Sequence, residues 1–270
     1  MSKDIVFIHG AFTSSWSFDR FRKPFERAGY RVRTVDLPHH EPKADLDALA
    51  ACGLREYVRA VERDIADLER PILIGHSMGG LLAQIVASRR PVAAKILLAP
   101  AAPWGVGPTT AEETTANMAL FALGDFWNRP IDPDYHSARS FALQRFEREE
   151  ARAMFARFVP DSGRAAFETI HWWRDISMAA AAPAYLISAP VLAIAGRHDA
   201  LTPPATVRRI TGRFGADQAT FVEMPDMGHW LVAETGWERV ADVCMDWLET
   251  VGLGKGRKPK MRPAAVASAL

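Results

Sequence analysis

A serine flanked by glycines, Gly75-His76-Ser77-Met78-Gly79, is the first candidate for chemistry in this chain. An apolar run precedes it and apolar residues at helical spacing follow it, which predicts a tight strand-to-helix turn. Glycines two residues to either side lack a Cβ, so strand and helix can approach each other closely. Such a turn strains the serine backbone and exposes its Oγ, as a nucleophile requires. A flexible serine-glycine loop is the alternative, and the ordered apolar flanks disfavour it.

A serine hydroxyl attacks readily only when a base removes its proton and a third group orients that base. Of the eight histidines, His229 lies in a loop after the last predicted strand, and Asp199 follows the strand before it. The chain order Ser77, Asp199, His229 is typical of this serine turn. Taken singly, Asp199 could be a turn residue and His229 a core imidazole. Asp226 is a second candidate acid, but its position three residues before His229 indicates a turn. We predict the triad Ser77, Asp199 and His229.

Acyl transfer also needs N–H donors for the oxyanion that forms on the attacked carbonyl. In proteins with this serine turn, one donor is the backbone N–H of the residue after the serine, which is Met78 here. The second comes from the loop after the first strand, His9-Gly10-Ala11-Phe12, where we expect the Ala11 N–H. Gly10 would let that loop fold back over the serine.

Six segments, each followed by a polar or glycine-containing loop, are predicted to be strands, and the continuous apolar runs among them are typical of buried parallel strands. They are Ile5–Ile8, Arg31–Leu37, Ile72–Ile74, Ala94–Ala99, Val191–Ala195 and Ala219–Met224. Helical patterns alternate with them, so the predicted fold class is α/β, with an open, mostly parallel, doubly wound sheet of about six strands. In such sheets chemistry collects at the carboxyl ends of the strands, where all the candidate residues lie.

Three regions follow from these patterns. Residues 1–100 and 189–252 are expected to form the α/β core, and 101–188 a helical insertion without a convincing strand. Residues 253–270 are expected to be a flexible basic tail, with contact to a charged partner as the less favoured reading. Within the core, Phe18, Phe21 and Phe25 predict one amphipathic helix. The run Thr235–Glu238 predicts a capping box that opens the last helix.

Composition narrows the classes of function. A chain of 270 residues with 49% hydrophobic residues has a sizeable core, and a net charge of +1 gives no argument for nucleic acid. Two cysteines suit a reducing compartment. No apolar run approaches the roughly 18 residues of a membrane span and no signal peptide is recognised, so we expect a cytoplasmic protein without membrane contact. A metal site at His39, His40 and Glu41 is disfavoured against a solvated loop.

The quoted motifs, together with Asp36-Leu37-Pro38, Gly196-x-x-Asp199 and Gly228-His229, resemble those of the α/β-hydrolase superfamily. Within it the chain is similar to compact carboxylesterases, which begin directly at the strand before the oxyanion loop. The resemblance implies a helical cap over the site. The common Asp-x-Pro-Gly-His-Gly turn is Asp36-Leu37-Pro38-His39-His40-Glu41 here, so both of its glycines are replaced. Ser77 argues against haloalkane dehalogenases and epoxide hydrolases, which carry aspartate there. Trp230 replaces the lysine that follows the histidine in the hydroxynitrile lyases of this fold.

The predicted function is a serine hydrolase that cleaves an ester or lactone of a small apolar or aromatic molecule through an acyl-enzyme on Ser77. Another enzyme class on the same scaffold (a C–C bond hydrolase, lyase or cofactor-free oxygenase) and a non-catalytic small-molecule binder are the alternatives. No metal or organic cofactor is expected, and the sequence carries no signal for an oligomeric state. Five aromatic residues are the candidates for substrate binding: Phe12, Trp104, Trp172, Trp173 and Trp230.

Overall fold

The computed structural model describes residues 4–41, 43–120 and 124–256 of the chain. Its main feature is a six-stranded sheet in which every neighbouring pair of strands is parallel, and from one edge to the other it contains the second, first, third, fourth, seventh and eighth strands of the chain. The strands are β1 Asp4–Ile8, β2 Arg31–Val35, β3 Ile72–His76, β4 Ala94–Leu98, β7 Val191–Gly196 and β8 Ala219–Met224, while β5 Pro130–Ile131 and β6 Asp161–Ser162 form a separate antiparallel pair. The predicted fold class is confirmed.

The four inner strands, β1, β3, β4 and β7, are almost fully buried because both faces of the sheet are covered, whereas the edge strands β2 and β8 are only partly buried. Side chains alternate between two buried clusters: Val6 and Ile8 of β1 belong to one, Ile5 and Phe7 to the other. This alternation follows from the two-residue repeat of a strand. The helices are α1 Lys23–Arg27, α2 Leu46–Ala51, α3 Leu54–Asp64, α4 Met78–Arg89, α5 Ala111–Ala119, α6 Tyr135–Ser137, α7 Arg148–Phe155, α8 Gly163–Ile170, α9 Pro204–Thr211 and α10 Trp237–Thr250.

Helices α3, α4 and α9 contribute to the first cluster, and α1 and α10 contribute to the second, so helices cover both faces. The chain runs from β1 outward to β2 and then returns to β3 on the other side of β1. At such a switch point the connections leave β1 and β3 in opposite directions, which opens a crevice at their carboxyl ends. The loop after β1 begins at His9, and Ser77 follows β3.

Two helix predictions need correction. The phenylalanine stripe is buried as expected, but it is divided between the 3-10 helix Ser15–Phe18, a turn that contains Phe21, and the short helix α1. No capping box opens α10, because its N-cap residue is Gly236, with φ +93°, and no side chain caps it. The glycine takes the left-handed conformation that a threonine would resist.

The segment between β4 and β7 is mainly helical, with α5 to α8, 3-10 helices at Phe126–Asn128, Trp172–Arg174 and Ala184–Leu186, and a π-helical turn at Ala138–Ala142. Contrary to expectation it also contains a strand pair, β5 and β6, of two residues each. Its bounds as a cap remain a prediction. From residue 257 onward the predicted basic tail lies outside the described residues. No helix in the described part of the chain is long and apolar enough to cross a membrane.

Candidate active site

Ser77 joins β3 to α4 in a strained conformation, with φ +53° and ψ −122°. A Cβ on Gly75 would lie 2.2 Å from the Gly79 carbonyl oxygen, and one on Gly79 would lie 2.1 Å from the Ile8 carbonyl oxygen. The strand and helix are therefore closer than any side chain would permit at either position. The Ser77 N–H donates to the Leu98 carbonyl at 3.0 Å, which anchors the turn to β4. The turn has the strain expected at a functional serine.

Asp199 and His229 form a buried pair at the ends of β7 and β8. His229 Nδ1 lies 2.9 Å from Asp199 Oδ2, and both residues are buried. Thr202 donates its N–H and its hydroxyl to the same carboxylate at 3.0 and 2.8 Å. Burial alone would raise the pKa of Asp199, but His229 and the donors of Thr202 outweigh it and lower that pKa. An ionised Asp199 accepts the Nδ1 proton, which leaves Nε2 of His229 as the basic nitrogen.

The loop that carries His229 is held by two residues that the sequence analysis did not identify. Glu234 accepts the N–H groups of Gly228 and Trp230 at 2.6 and 2.9 Å, one on each side of the histidine. His76 Nε2 lies 2.9 Å from the His229 carbonyl oxygen, and the acceptor there requires an Nε2 proton. Burial, followed by the proximity of His229, lowers the pKa of His76 to about 3, so its imidazole is neutral.

The loop after β1 lies directly against the serine. A Cβ on Gly10 would be 3.0 Å from Ser77 Cβ, so this position has little room for a side chain. His9 fixes the loop: its Nδ1 donates to the Gly10 carbonyl at 2.8 Å, and its Nε2 accepts the Leu37 N–H at 3.0 Å. Burial and the nearby His40 lower the pKa of His9 to about 4, consistent with the neutral tautomer that this pattern needs.

The two predicted oxyanion donors are the backbone N–H groups of Ala11 and Met78. Neither the Ala11 N–H nor the Met78 N–H has a hydrogen-bond acceptor among the residues that the structure describes. Both residues line one cavity together with Ser77 and His229. Met78 is the first residue of α4, so its N–H also lies at the positive end of the helix dipole. Acyl transfer requires such donors beside the serine, and the role of these two N–H groups stays a prediction.

The cavity has a volume of about 400 Å³ and lies between the sheet and the β4–β7 segment. Three of the five predicted substrate-binding residues line it: Phe12, Trp172 and Trp230. The other two do not. Trp104 packs on the Trp172 ring at 5.2 Å between centroids and is 39% exposed, and Trp173 is 51% exposed. Trp172 and Trp173 are consecutive in one 3-10 turn, so their side chains leave the backbone about 120° apart and only Trp172 lines the cavity.

Buried polar groups near the cavity include two that patterns alone did not reveal. Glu113 of α5 lines the cavity, and its Oε2 accepts the hydroxyl of Thr206 at 2.6 Å; burial raises its pKa. His40 is buried beside Asp161, with Nε2 3.3 Å from the carboxylate, so the prediction of a solvated loop is wrong for this residue. The described residues contain no group of three side chains suited to a metal ion.

The fold and the geometry of this site are together typical of α/β-hydrolases. A strained serine, an imidazole paired with a carboxylate, and free N–H groups meet at the carboxyl edge of a parallel sheet. The chain also matches the model of the alpha/beta hydrolase family over residues 5–243. It belongs to that family, and the predicted resemblance to esterase-like members is confirmed.

Individual relatives agree with this assignment. The mouse sn-1-specific diacylglycerol lipase ABHD11 is 26% identical over 245 residues, 84% of this chain and 75% of the lipase. A pimeloyl-(acyl-carrier protein) methyl ester esterase from Neisseria meningitidis serogroup C is 30% identical over 208 residues, 75% of this chain and 77% of the esterase. Among solved structures, the Arabidopsis methylesterase MES16 has a TM-score of 0.69 at 16% identity, covering 92% of this chain and 99% of MES16, which supports the fold.

Proposed function

We propose that the chain is a serine esterase that cleaves a carboxylic ester through an acyl-enzyme on Ser77. The observation that carries the proposal is the shared cavity: Ser77 and His229 line it together, and His229 is oriented from behind by Asp199 at 2.9 Å. The relatives named above as a lipase and an esterase support ester bonds as the target.

In the proposed reaction, His229 Nε2 takes the Ser77 proton as Oγ attacks the ester carbonyl carbon. The carbonyl electron pair moves onto oxygen, and the N–H groups of Ala11 and Met78 stabilise the resulting oxyanion. When the carbonyl re-forms, the C–O bond to the alcohol breaks and His229 returns the proton to the leaving oxygen. Water then attacks the acyl-enzyme by the same route, which releases the acid and restores Ser77.

The substrate proposed is a small ester with an apolar or aromatic group. A cavity of about 400 Å³ suits a small molecule, and its lining is mainly apolar. Phe12, Trp172 and Trp230 supply aromatic surface near the serine. Phe158 stacks on Trp230 with 5.7 Å between ring centroids and extends that surface. A lactone is an ester closed into a ring and would follow the same steps.

Covalent labelling tests the proposal. A fluorophosphonate probe should label the wild-type protein, and short p-nitrophenyl esters should be hydrolysed. Ser77→Ala should abolish labelling and lower kcat by at least about 10³-fold, because the nucleophile is lost. Ser88→Ala is the matched control: Ser88 lies on the same helix, outside the cavity lining, and donates to the Ile85 carbonyl. Its labelling should be unchanged.

Folded wild-type protein that neither labels nor hydrolyses esters would contradict the proposal. Labelling at Ser77 without ester turnover would indicate an activated serine that serves another reaction, such as C–C bond cleavage or a lyase step.

A further inference from the structure

The turn that contains Ala11 is hydrogen-bonded to the segment between β4 and β7. The Phe12 N–H donates to Asp161 Oδ2 at 2.7 Å, a contact across 149 positions of the chain. The Phe12 carbonyl accepts the Val159 N–H at 3.0 Å. The residue next to Ala11 is therefore bound through both its N–H and its carbonyl by one short stretch of the insertion.

Asp161 is a buried carboxylate with donors on both oxygens. Its Oδ1 accepts the Tyr57 hydroxyl at 2.8 Å and the Ser162 N–H at 2.7 Å, while Oδ2 takes the Phe12 N–H. Burial alone would raise the pKa of Asp161, but the nearby His40 and these donors outweigh it and lower that pKa. Burial likewise opposes the charged form of His40, yet Asp161 raises the pKa of His40 overall. Asp161 is thus an anion fixed from several sides.

Asp161 binds the N–H of a residue whose backbone is strained. Phe12 has φ +60°, a conformation that a side-chain-bearing residue keeps only when its surroundings impose it. If the Phe12 N–H were released, the peptide between Ala11 and Phe12 could rotate, and the Ala11 N–H would shift with the same turn. A displacement of about 1 Å in a catalytic group can cost about 10²-fold in rate.

We propose that Asp161 is a positioning residue for ester hydrolysis, which acts through Phe12 to fix the turn that presents the Ala11 N–H to the oxyanion. The inference rests on the proposed function and adds a residue of the insertion to it. The insertion then does more than cover the cavity, because it supplies a contact that shapes the oxyanion site.

A purely structural role for Asp161 would be to attach the insertion to the core, and Glu168 provides the comparison. Glu168 lies on α8 in the same insertion, is buried, and accepts the Leu54 N–H at 2.7 Å. It therefore makes the same kind of carboxylate-to-backbone contact with the core. Its partner, Leu54, is the first residue of α3 and is not part of the loop after β1. Glu168 does not line the cavity.

The substitution Asp161→Asn disturbs the contact while preserving side-chain size. Because both carboxylate oxygens accept donors, an asparagine must turn its NH₂ group toward one of them. Oδ1 accepts the Tyr57 hydroxyl and the Ser162 N–H, while Oδ2 accepts the Phe12 N–H and lies 3.3 Å from His40 Nε2, so each oxygen faces two donors. If the NH₂ group lies at the Oδ2 position, the Phe12 N–H loses its acceptor. In the other orientation a neutral amide oxygen replaces the anion, so the hydrogen bond to Phe12 is weakened in both cases.

The experiment compares Asp161→Asn with Glu168→Gln in the full-length protein on a p-nitrophenyl ester. We expect Asp161→Asn to lower kcat about 10- to 100-fold with KM within about 3-fold, because the loss falls on the transition state. Glu168→Gln should keep kcat within about 2-fold. Affinity for a trifluoromethyl ketone, which forms a tetrahedral adduct with a serine, should fall in Asp161→Asn in parallel with kcat/KM. Thermal melts record the stability of each variant.

An unchanged kcat in Asp161→Asn, or an equal loss in Glu168→Gln, would overturn the inference while leaving the proposed esterase intact. Wild-type protein without labelling or turnover would contradict both the role of Asp161 and the proposed esterase function. If Asp161→Asn does not fold, Tyr57→Phe removes one donor to the same carboxylate and leaves the rest of the contact. That variant should show a smaller fall in kcat at constant KM, and a wild-type kcat there would count against the inference.

Discussion

The sequence contains two candidate aspartates for orienting His229, and the structure brings one of them to its ring. Asp199 is 30 positions away, yet its carboxylate is 2.9 Å from Nδ1. Asp226 is three positions away, and its side chain is 68% exposed and 3.6 Å from Arg239. Proximity along the chain therefore misleads here, because the turn between the two residues directs Asp226 to solvent. The catalytic role of Asp199 is part of the proposed function.

Exchange of Asp199 for asparagine tests that role. Asp199→Asn should lower kcat by about 10³- to 10⁴-fold, because the neutral amide neither selects the Nδ1-H tautomer of His229 nor stabilises its cation. Steady-state kinetics on a p-nitrophenyl ester measure the loss, and circular dichroism checks the fold. Asp226→Asn is the control and should leave kcat within about 2-fold. Equal activity in the two variants would refute the assignment.

At the scale of elements, the strand–serine–helix unit is the most closely packed feature of the site. Gly79 belongs to α4, where alanine would normally be the better helix former by about 1 kcal/mol. A Cβ there would nevertheless lie 2.1 Å from the Ile8 carbonyl and 2.5 Å from the His9 carbonyl. Both contacts are to backbone, which cannot move aside as a flexible side chain would. Overpacking should therefore outweigh propensity.

We expect Gly79→Ala to reduce the free energy of unfolding by more than about 2 kcal/mol, since separating α4 from β1 also disturbs the sheet. Gly215→Ala is the matched control, because Gly215 is exposed and a Cβ there meets no atom within 4 Å. Its effect should stay within about 0.5 kcal/mol. Urea unfolding of the three proteins measures both values, and a stabilised Gly79→Ala would show that helix propensity dominates.

For the molecule as a whole, the sheet buries histidines that cannot easily accept a proton. Burial lowers the pKa of His76 to about 3 and that of His9 to about 4. In the unfolded chain both would titrate near 6.5. The unfolded state therefore binds more protons below pH 6.5, and these two residues make the fold less stable as the pH falls from 6.5 toward 4. The buried Glu113, Glu168 and Glu234 have raised pKa values and oppose this trend.

A variant isolates the contribution of His76 from those opposing groups. Between pH 6.5 and about 4, the free energy of unfolding of wild type should fall relative to that of His76→Asn. The difference should approach about 1.4 kcal/mol per pH unit. Urea unfolding at several pH values measures it, and only the change with pH matters, because the substitution also alters packing. Parallel curves for the two proteins would rule out a neutral His76 in the folded state.

Much of this architecture could be predicted from the sequence because the relevant signals are local. Segments of strand length between helical patterns predict all six strands of the sheet, and the last of them, Ala219–Met224, has the expected bounds. The glycines around Ser77 predicted the turn, since the steric demand arises within five consecutive residues. The N-terminus of α10 is an exception. The sequence there predicts a capping box, but Gly236 takes the N-cap position in a left-handed conformation and no side chain caps the helix.

The contacts between distant segments were decided only by the tertiary structure. The pattern of aromatic residues could not show that Trp172 lines the cavity while Trp173 faces outward, because the packing of the insertion sets each direction. The sequence predicts His40 in a solvated loop, but the fold buries it against Asp161. Local spacing specifies periodicity and backbone conformation, whereas burial and partner choice depend on which distant elements share a surface. The contact of Asp161 with Phe12 exists because the folded insertion returns to the first loop of the chain.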